Sequence, residues 1–191
     1  MNFKYKFDMP AVFAMIVGTL VLVVVGYTMR KLGMPYVQET EAIMIVIIAA
    51  VFGASAGGIT TVAASILSYV MLHVNVDVIY MIAFILLAIA IGHYASDFRI
   101  REGGFRSGEV IRFCLGHFLL EGLIWMFFIP FFSFLTQRSD LFAMLRKNTD
   151  SLIFTILADV VLAPAFYLIS LIVRNWQERK KNAQKLGLTG H

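Results

Sequence analysis

The sequence predicts an all-α integral membrane protein, in which a single domain of residues 1–191 forms a bundle of six transmembrane helices. The first observation is composition: hydrophobic residues make up 60% of the chain, charged residues only 15%, and the mean hydropathy is +0.82. A soluble chain of 191 residues has too little interior to bury so much apolar surface. The second observation is that the apolar residues form runs near the roughly 20 residues that span a bilayer. The third is an asymmetric distribution of lysine and arginine.

The first predicted helix covers residues 10–29, where an unbroken apolar run follows a basic and aromatic lead-in. The run exits through Gly26 to Lys31 and lacks the small residues that precede a signal-peptide cleavage site, so we expect this helix to be retained. Ala14 and Gly18 lie one turn apart in its first half. Small residues at that spacing allow another helix to approach closely.

The second and third predicted helices cover residues 41–54 and 58–73. They come from a run of about 33 residues without a charge, which is interrupted by the glycine-rich stretch FGASAGG at 52–58. The alternative is one long tilted helix. The positions of the basic residues favour two helices. Only with two do the N-terminus, the arginine-rich segment described below and the C-terminal tail fall on one side of the membrane.

The last three predicted helices cover residues 78–95, 110–132 and 151–173. The segment TQRSDLFAMLRKNTD, which separates the last two, mixes charges with apolar side chains and predicts a short helix in the membrane interface. The final helix contains Asp159 and Pro164, and a basic tail follows it.

The orientation follows from Arg99, Arg101 and Arg106, which lie between the fourth and fifth helices, and from Arg112 at the start of the fifth. We call residues 97–109 the arginine loop. Eleven of the 16 lysine and arginine residues fall in the N-terminal lead-in, in or beside this loop, and in the tail. The positive-inside rule therefore predicts cytoplasmic termini in a multi-pass protein of the plasma membrane. The same residues flank apolar segments, so no nucleic-acid surface is expected.

Glu121 and Asp159 are the most informative polar residues, because both lie near the middle of late helices. A charged side chain at the bilayer centre costs roughly 2.5 to 3.5 kcal/mol on insertion scales. Such acids mark ligand sites or proton paths. The alternative is a hydrogen-bonded clamp between two helices that binds no ligand.

Several chemistries are not predicted. His117 and Glu121 share one helix face, but no second His or Cys cluster supplies the remaining ligands, so we predict no metal site. The glycines at 103, 104 and 108 follow no strand, which argues against a phosphate-binding loop. No nucleophile, base and acid constellation stands out, and we predict neither an enzyme nor a cofactor. The single cysteine, Cys114, lies in an apolar helix and excludes an intramolecular disulfide.

Three stretches carry a resemblance to a known family: FGASAGG, the loop ASDFRIREGGFRSGEVIRF and the final DSLIFTILADVVLAPAFYLISLIVRNW. With six helices in about 190 residues, the chain resembles, over nearly its whole length, the substrate-binding S-component of an energy-coupling-factor (ECF) vitamin transporter. The resemblance implies high-affinity capture of a small vitamin or vitamin precursor from outside the cell. It also implies delivery by partners, namely a transmembrane coupling subunit and two ATPases.

The resemblance further implies where the ligand and the partners bind. The pocket would lie between the outer halves of the first, fourth, fifth and sixth helices, and the coupling subunit would dock on Ala14 and Gly18, where the family more often has two alanines. Two deep acids favour a cationic or amine-rich ligand such as a thiamine-like pyrimidine. The implied substrate-binding residues are Glu121, Asp159, Trp125, Tyr80, Tyr36, Glu39, Asn148 and Phe154, with Tyr27, Arg30, Gln38, Asp77, Phe128 and Ser151 on the same surfaces.

Two other classes of protein remain open. A rod-shape-determining membrane scaffold has a similar size and binds no solute, but it usually carries an acidic residue in the glycine-rich third helix, and residues 59–74 have none. The membrane sensor module of a histidine kinase shares the glycine-rich helix pair. The 18 residues after Val173 would leave no room for its output domain.

Overall fold

The computed structural model describes residues 8–137 and 140–185. Helices make up about 88% of this described part, which contains no strand. Five helical segments are long and apolar enough to cross a membrane: Met9–Lys31, Ala54–Leu72, Val78–Glu102, Ser107–Thr136 and Leu141–Lys180. The prediction of an all-α, multi-pass membrane protein is confirmed at this level.

Helix α1 covers Met9–Lys31 and starts at a well-formed N-cap. The Asp8 carboxylate accepts a hydrogen bond from the Ala11 N–H at 3.1 Å, and Pro10 occupies the first turn, where its missing N–H has no helical partner to lose. Arg30 and Lys31 lie in the last turn, where positive charge offsets the helix dipole.

Helices α2 (Val37–Phe52) and α3 (Ala54–Leu72) are separated by a single residue, Gly53. Gly53 has φ 97° and ψ 167°, a backbone conformation that is essentially restricted to glycine. The break is therefore narrower than the sequence predicts, and Gly57 lies inside α3. A Cβ on Gly57 would meet the Cβ atoms of Ala49 and Ala88 at 2.7 and 3.0 Å, so this glycine allows three helices to pack closely.

Helix α2 is short and central. Its 16 residues span about 24 Å, less than the roughly 30 Å hydrocarbon core of a bilayer. Its side chains are buried along most of its length, including Ala42, Ile45, Val46 and Ala49. The neighbouring helices therefore cover α2, which explains how an apolar helix of this length fits the bundle.

Helix α4 covers Val78–Ser96, and the Asp77 carboxylate caps it by accepting from the Ile79 N–H at 2.9 Å. The arginine loop follows, with two short 3-10 turns at Ile100–Glu102 and Ser107–Glu109. One continuous helical passage then comprises α5 (Val110–Gly122), a π-helical segment (Leu123–Phe128) and α6 (Ile129–Gln137).

Helix α7 is one continuous helix, Leu141–Lys185. Its 45 residues extend about 68 Å at about 1.5 Å per residue. The expectation of a separate interfacial helix before a span at 151–173 is therefore wrong for residues 141–150, which form the first turns of α7. Asn148 is fully buried in these turns, so packing against the bundle continues through them. Pro164 lies inside the helix and does not end it.

The arginine loop joins three other parts of the chain at one end of the bundle, which we call the arginine-loop end. The Arg101 guanidinium donates to both carboxylate oxygens of Asp8 at the start of α1, and it lies 5.3 Å from the centre of the Phe52 ring at the end of α2. The Phe105 N–H donates to Ser170 Oγ on α7 at 2.9 Å. Successive helical passages therefore alternate in direction, as in an up-and-down bundle.

Candidate functional site: an open cavity and a buried carboxylate cluster

A cavity of about 140 Å³ lies at the end of the bundle opposite the arginine loop. The end of α1, the start of α2, the second half of α3, the α3–α4 link and the start of α4 form its walls. We call this the cavity end. The polar side chains of the lining include Arg30, Gln38, Glu41, Ser65, Ser68 and Asp77.

An ion pair crosses one wall of the cavity. Arg30 Nη2 lies 2.7 Å from Glu41 Oε1, with side chains that are 36% and 19% exposed. Gly26 allows this arrangement, because a Cβ at that position would collide with the Glu41 carboxylate. The wall therefore presents one positive and one negative group side by side to the cavity.

The α3 wall carries a stripe of hydroxyl groups. Thr61, Ser65 and Ser68 all line the cavity, and their spacing of four and three residues places them on one helix face. The Thr61 hydroxyl donates to the Gly57 carbonyl at 2.9 Å. This wall is not predicted above, although the spacing of hydroxyl residues within TTVAASILS is a signal for it.

Aromatic rings form the deep side of the cavity. Tyr80 and Phe84 line it, and Trp125 packs behind them with ring centroids 6.2 and 6.0 Å away. Within the described residues, neither the Tyr80 hydroxyl nor the Trp125 indole N–H has a hydrogen-bond partner. A buried donor without a partner costs about 1 to 3 kcal/mol, which favours a ligand that accepts from Tyr80.

A second polar site lies between α5 and α7. His117 and Glu121 sit one turn apart on α5, and Asp159 faces them from α7. His117 Nδ1 lies 3.1 Å from Asp159 Oδ1, and one ligand atom from each of the three residues lies within 4.8 Å of the others. All three side chains are at most 3% exposed. We call them the buried cluster.

The buried cluster holds unused ligand atoms. His117 Nε2, Glu121 Oε2 and Asp159 Oδ2 are buried and have no hydrogen-bond partner among the described residues. No metal site is predicted from the sequence, because no further His or Cys residues cluster with His117 and Glu121 along the chain. The fold supplies a third ligand of a different type, Asp159, from a helix 42 residues away in the chain.

The π-helical segment Leu123–Phe128 begins two residues after Glu121 of the buried cluster. The Trp125 carbonyl accepts a hydrogen bond from Asn148 Nδ2 on α7 at 2.9 Å. Wider π turns leave a carbonyl without its ordinary helical partner, and such segments occur frequently at functional sites. The buried Asn148 amide thus satisfies a carbonyl and joins α7 to the segment that carries Trp125.

The eight residues that the resemblance implies for substrate binding do not form one site: Glu121 and Asp159 belong to the buried cluster, and Asn148 contacts the π-helical segment. Of those eight, Tyr80 lines the cavity, while Trp125 lies directly behind it. Tyr36 stacks on Phe154 with centroids 4.8 Å apart, and the buried Glu39 carboxylate accepts a hydrogen bond from Ser151. These contacts tie the start of α2 to α7. Arg30, Gln38 and Asp77, which the resemblance places on the same surfaces, do line the cavity.

The two small residues on α1 have different surroundings. A Cβ on Gly18 would meet side-chain atoms of Ile48 and Thr60, so Gly18 faces α2 and α3 inside the bundle. Ala14 is half-buried. Docking of a partner on Ala14 and Gly18 stays a prediction.

No family model, curated protein or solved structure matches this chain. Function is therefore inferred from the residues and their geometry.

Proposed function

We propose that the protein captures a small, single-ring heterocyclic solute in the cavity opposite the arginine loop and passes it to an ATP-driven membrane transporter. The observation that carries this proposal is the cavity, which combines an ion pair, hydroxyl groups and aromatic rings. Ligand sites are typically concave and apolar with a few convergent polar groups.

The size of the cavity favours a small ligand. Its volume of about 140 Å³ is close to the roughly 150 Å³ of an engineered cavity that binds benzene. One substituted ring fits within this volume, whereas a flavin or a cobalamin would extend out of it. A vitamin precursor of pyrimidine size is therefore the favoured class.

The charges of the lining favour a ring that carries both donors and acceptors. Arg30 offers donors, while Glu41 and Asp77 offer acceptors, and Tyr80 and Phe84 offer aromatic surface. Glu121 and Asp159 do not line the cavity. Attraction for an amine-rich ligand therefore comes from Glu41 and Asp77 in this proposal.

The direction of capture depends on six membrane crossings with cytoplasmic termini. In this proposal α2 also crosses the membrane and brings the five long apolar segments to six crossings. Its neighbours shield it from lipid. The contacts of Arg101 with Asp8 and Phe52 support it, because they bring the starts and ends of successive helices to the arginine-loop end. With that end in the cytoplasm, the cavity opens to the outside.

Delivery requires partners in this proposal. The ECF resemblance supplies them: a transmembrane coupling subunit and two ATPases. The lipid-facing side of α1 exposes Phe13, Ile16 and Leu20, which are 69%, 57% and 55% exposed. An apolar helix face of this kind suits a membrane subunit or lipid.

Binding to the purified protein tests the proposal. Wild type in nanodiscs is dialysed against a panel of radiolabelled single-ring vitamins and precursors. We expect one of them to bind below micromolar concentration, and Arg30→Gln and Glu41→Gln each to weaken it at least about tenfold, or about 1.4 kcal/mol. Lys31→Gln is the matched control, because Lys31 is exposed and does not line the cavity. A panel without any ligand of micromolar affinity would contradict the proposal.

A second candidate, a membrane sensor module, is favoured by the C-terminal part of α7. The helix continues beyond Arg174, where the arginine loop packs, and residues 175–180 are exposed. Such a projecting helix suits transmission of a signal. Co-reconstitution with an ECF coupling subunit and its ATPases separates the two, because a transporter component moves the bound solute across the membrane and a sensor does not.

A further inference from the structure

We propose that His117, Glu121 and Asp159 bind one divalent transition-metal ion, with Zn²⁺ the best fit, between α5 and α7. This site is separate from the cavity, which none of the three residues lines. The inference does not depend on solute capture, and either proposal can fail alone.

The placement of the three side chains suits one ion. His117 and Glu121 are four residues apart on α5, so their side chains project from the same helix face, and Asp159 completes the set from the facing helix. Metal sites in helical bundles are built this way, from inward side chains of neighbouring helices. Ligands at about 2.1 Å from a tetrahedral ion lie about 3.4 Å apart. One ligand atom from each of the three residues lies within 4.8 Å of the others, so binding of an ion would draw these atoms closer together.

Charge balance also favours a divalent cation. Two buried carboxylates lie close together in the bundle, and among the described residues no lysine or arginine pairs with either of them. Burying an uncompensated carboxylate is costly. A divalent ion with two carboxylates and a neutral imidazole gives a site with no net charge.

The unused atoms provide independent support. A hydrogen-bonded clamp accounts for the contact of His117 Nδ1 with Asp159 Oδ1. It leaves His117 Nε2, Glu121 Oε2 and Asp159 Oδ2 buried without partners within the described residues. One ion can use a ligand atom from each of the three residues at once.

The donor set selects the class of metal. One imidazole nitrogen and two carboxylates suit Zn²⁺, Fe²⁺ or Mn²⁺ better than Cu⁺, which prefers sulfur, or Mg²⁺, which prefers oxygen throughout. Three protein ligands leave at least one position open on Zn²⁺. A water molecule or a small anion would complete the coordination.

Metal titration of the tag-free protein in nanodiscs tests this inference. Wild type, stripped with chelator, is titrated with Zn²⁺, Mn²⁺ and Fe²⁺ and analysed by plasma mass spectrometry after desalting. We expect retention of one Zn²⁺ per chain, a higher unfolding temperature with metal, and reversal of both by chelator. Replacement by Co²⁺ should give the visible absorption of a tetrahedral site.

Variants assign the ligands. Glu121→Gln and Asp159→Asn should each weaken Zn²⁺ binding at least about tenfold. The matched controls are Asp150→Asn, an exposed acid on the same helix α7, and His73→Asn, an exposed histidine. Both should bind as wild type does.

Three outcomes overturn the proposal. One is the absence of saturable, chelator-sensitive binding of any of these ions to wild type, a measurement that does not depend on how the variants fold. Another is equal loss of metal in the controls, which would place binding on the surface. The third is a gain of stability in Glu121→Gln without metal and unchanged Zn²⁺ affinity, which would identify a hydrogen-bonded clamp.

Discussion

Asp8 makes two contacts with one carboxylate. It caps α1 through the Ala11 N–H and pairs with Arg101 of the arginine loop. The hydrogen bond from Arg101 holds the pKa of Asp8 below its ordinary value. Because the pKa is lower in the folded protein, the stabilisation is present above the unfolded pKa, about 3.9, and is lost as the pH falls through the folded value.

Asp8→Asn separates these two contacts. Asparagine caps a helix about as well as aspartate, so the variant should keep α1 and lose only its ion pair with the loop. We expect lower hydrogen-exchange protection of residues 99–103 at neutral pH, and a wild type that reaches the variant's level only below about pH 4. Asp140→Asn, at the cap of α7, is the control and should leave the loop unchanged. Equal protection of variant and wild type at neutral pH would show that Arg101 does not hold the loop.

At the scale of elements, a few residues decide where helices break and how they join. Gly53 makes the turn between α2 and α3 because its φ of 97° suits no other residue type. Gly58, five residues later, is helical and has no heavy atom within 4 Å of where a Cβ would stand. The two glycines therefore have opposite sensitivities to substitution.

Gly53→Ala should destabilise the protein by about 1 to 3 kcal/mol, the cost of a strained backbone conformation. Gly58→Ala should be neutral or stabilising by up to about 1 kcal/mol, since alanine favours helix. Reversible unfolding in mixed micelles measures the free energy of unfolding of both variants. Equal effects of the two substitutions would show that the break does not depend on the conformation of Gly53.

The stability of the π-helical segment depends on one residue, Asn148. Asn148→Ala removes the donor to the Trp125 carbonyl and should cost about 1 to 3 kcal/mol, because the carbonyl is left without a partner. Thr149→Ala, one residue along on the exposed side of α7, should change the free energy of unfolding by less than about 0.5 kcal/mol. The same micelle unfolding assay compares them, and a wild-type value for Asn148→Ala would refute the role of this bond.

The whole molecule has two ends of different character. The arginine-loop end is tied together by the Asp8–Arg101 ion pair and by a cluster of Phe98, Phe105 and Phe113, with ring centroids 5.3 to 5.5 Å apart. The cavity end holds the ion pair of Arg30 with Glu41 and the open volume. With the arginine-loop end in the cytoplasm, as we propose, the cavity end would face outward and suit capture from outside.

Cysteine labelling tests this orientation in a Cys114→Ala background. Ser107→Cys in the arginine loop and Asn182→Cys near the end of α7 should react with an impermeant maleimide only after the cells are opened. Asn75→Cys at the cavity end should react in intact cells. All three positions are exposed, so accessibility reflects the side of the membrane. Labelling of Ser107→Cys in intact cells would place the arginine loop outside the cell. It would contradict the proposal of capture from outside.

Hydropathy along the chain was sufficient to predict an all-α membrane protein and the positions of its apolar segments, because a helix that crosses lipid must be apolar over a local stretch of residues. Tyr80, which the resemblance implied as a substrate residue, lines the cavity, and its role in binding stays a prediction. The length of α7 could not be predicted from hydropathy. Its residues 141–150 are polar on one side, and they are held against the bundle by the contact of Asn148.

By itself the sequence determined the helical class, the membrane environment and the clustering of positive charge around the arginine loop, all of which follow from the local chemistry of short stretches. Only the tertiary structure decided which side chains meet. His117 contacts Asp159 across 42 residues, and Ser151 donates to Glu39 across 112. Such pairs depend on the rotation and register of one packed helix against another. That packing reflects contacts along the whole length of both helices, and no local pattern of residues encodes it.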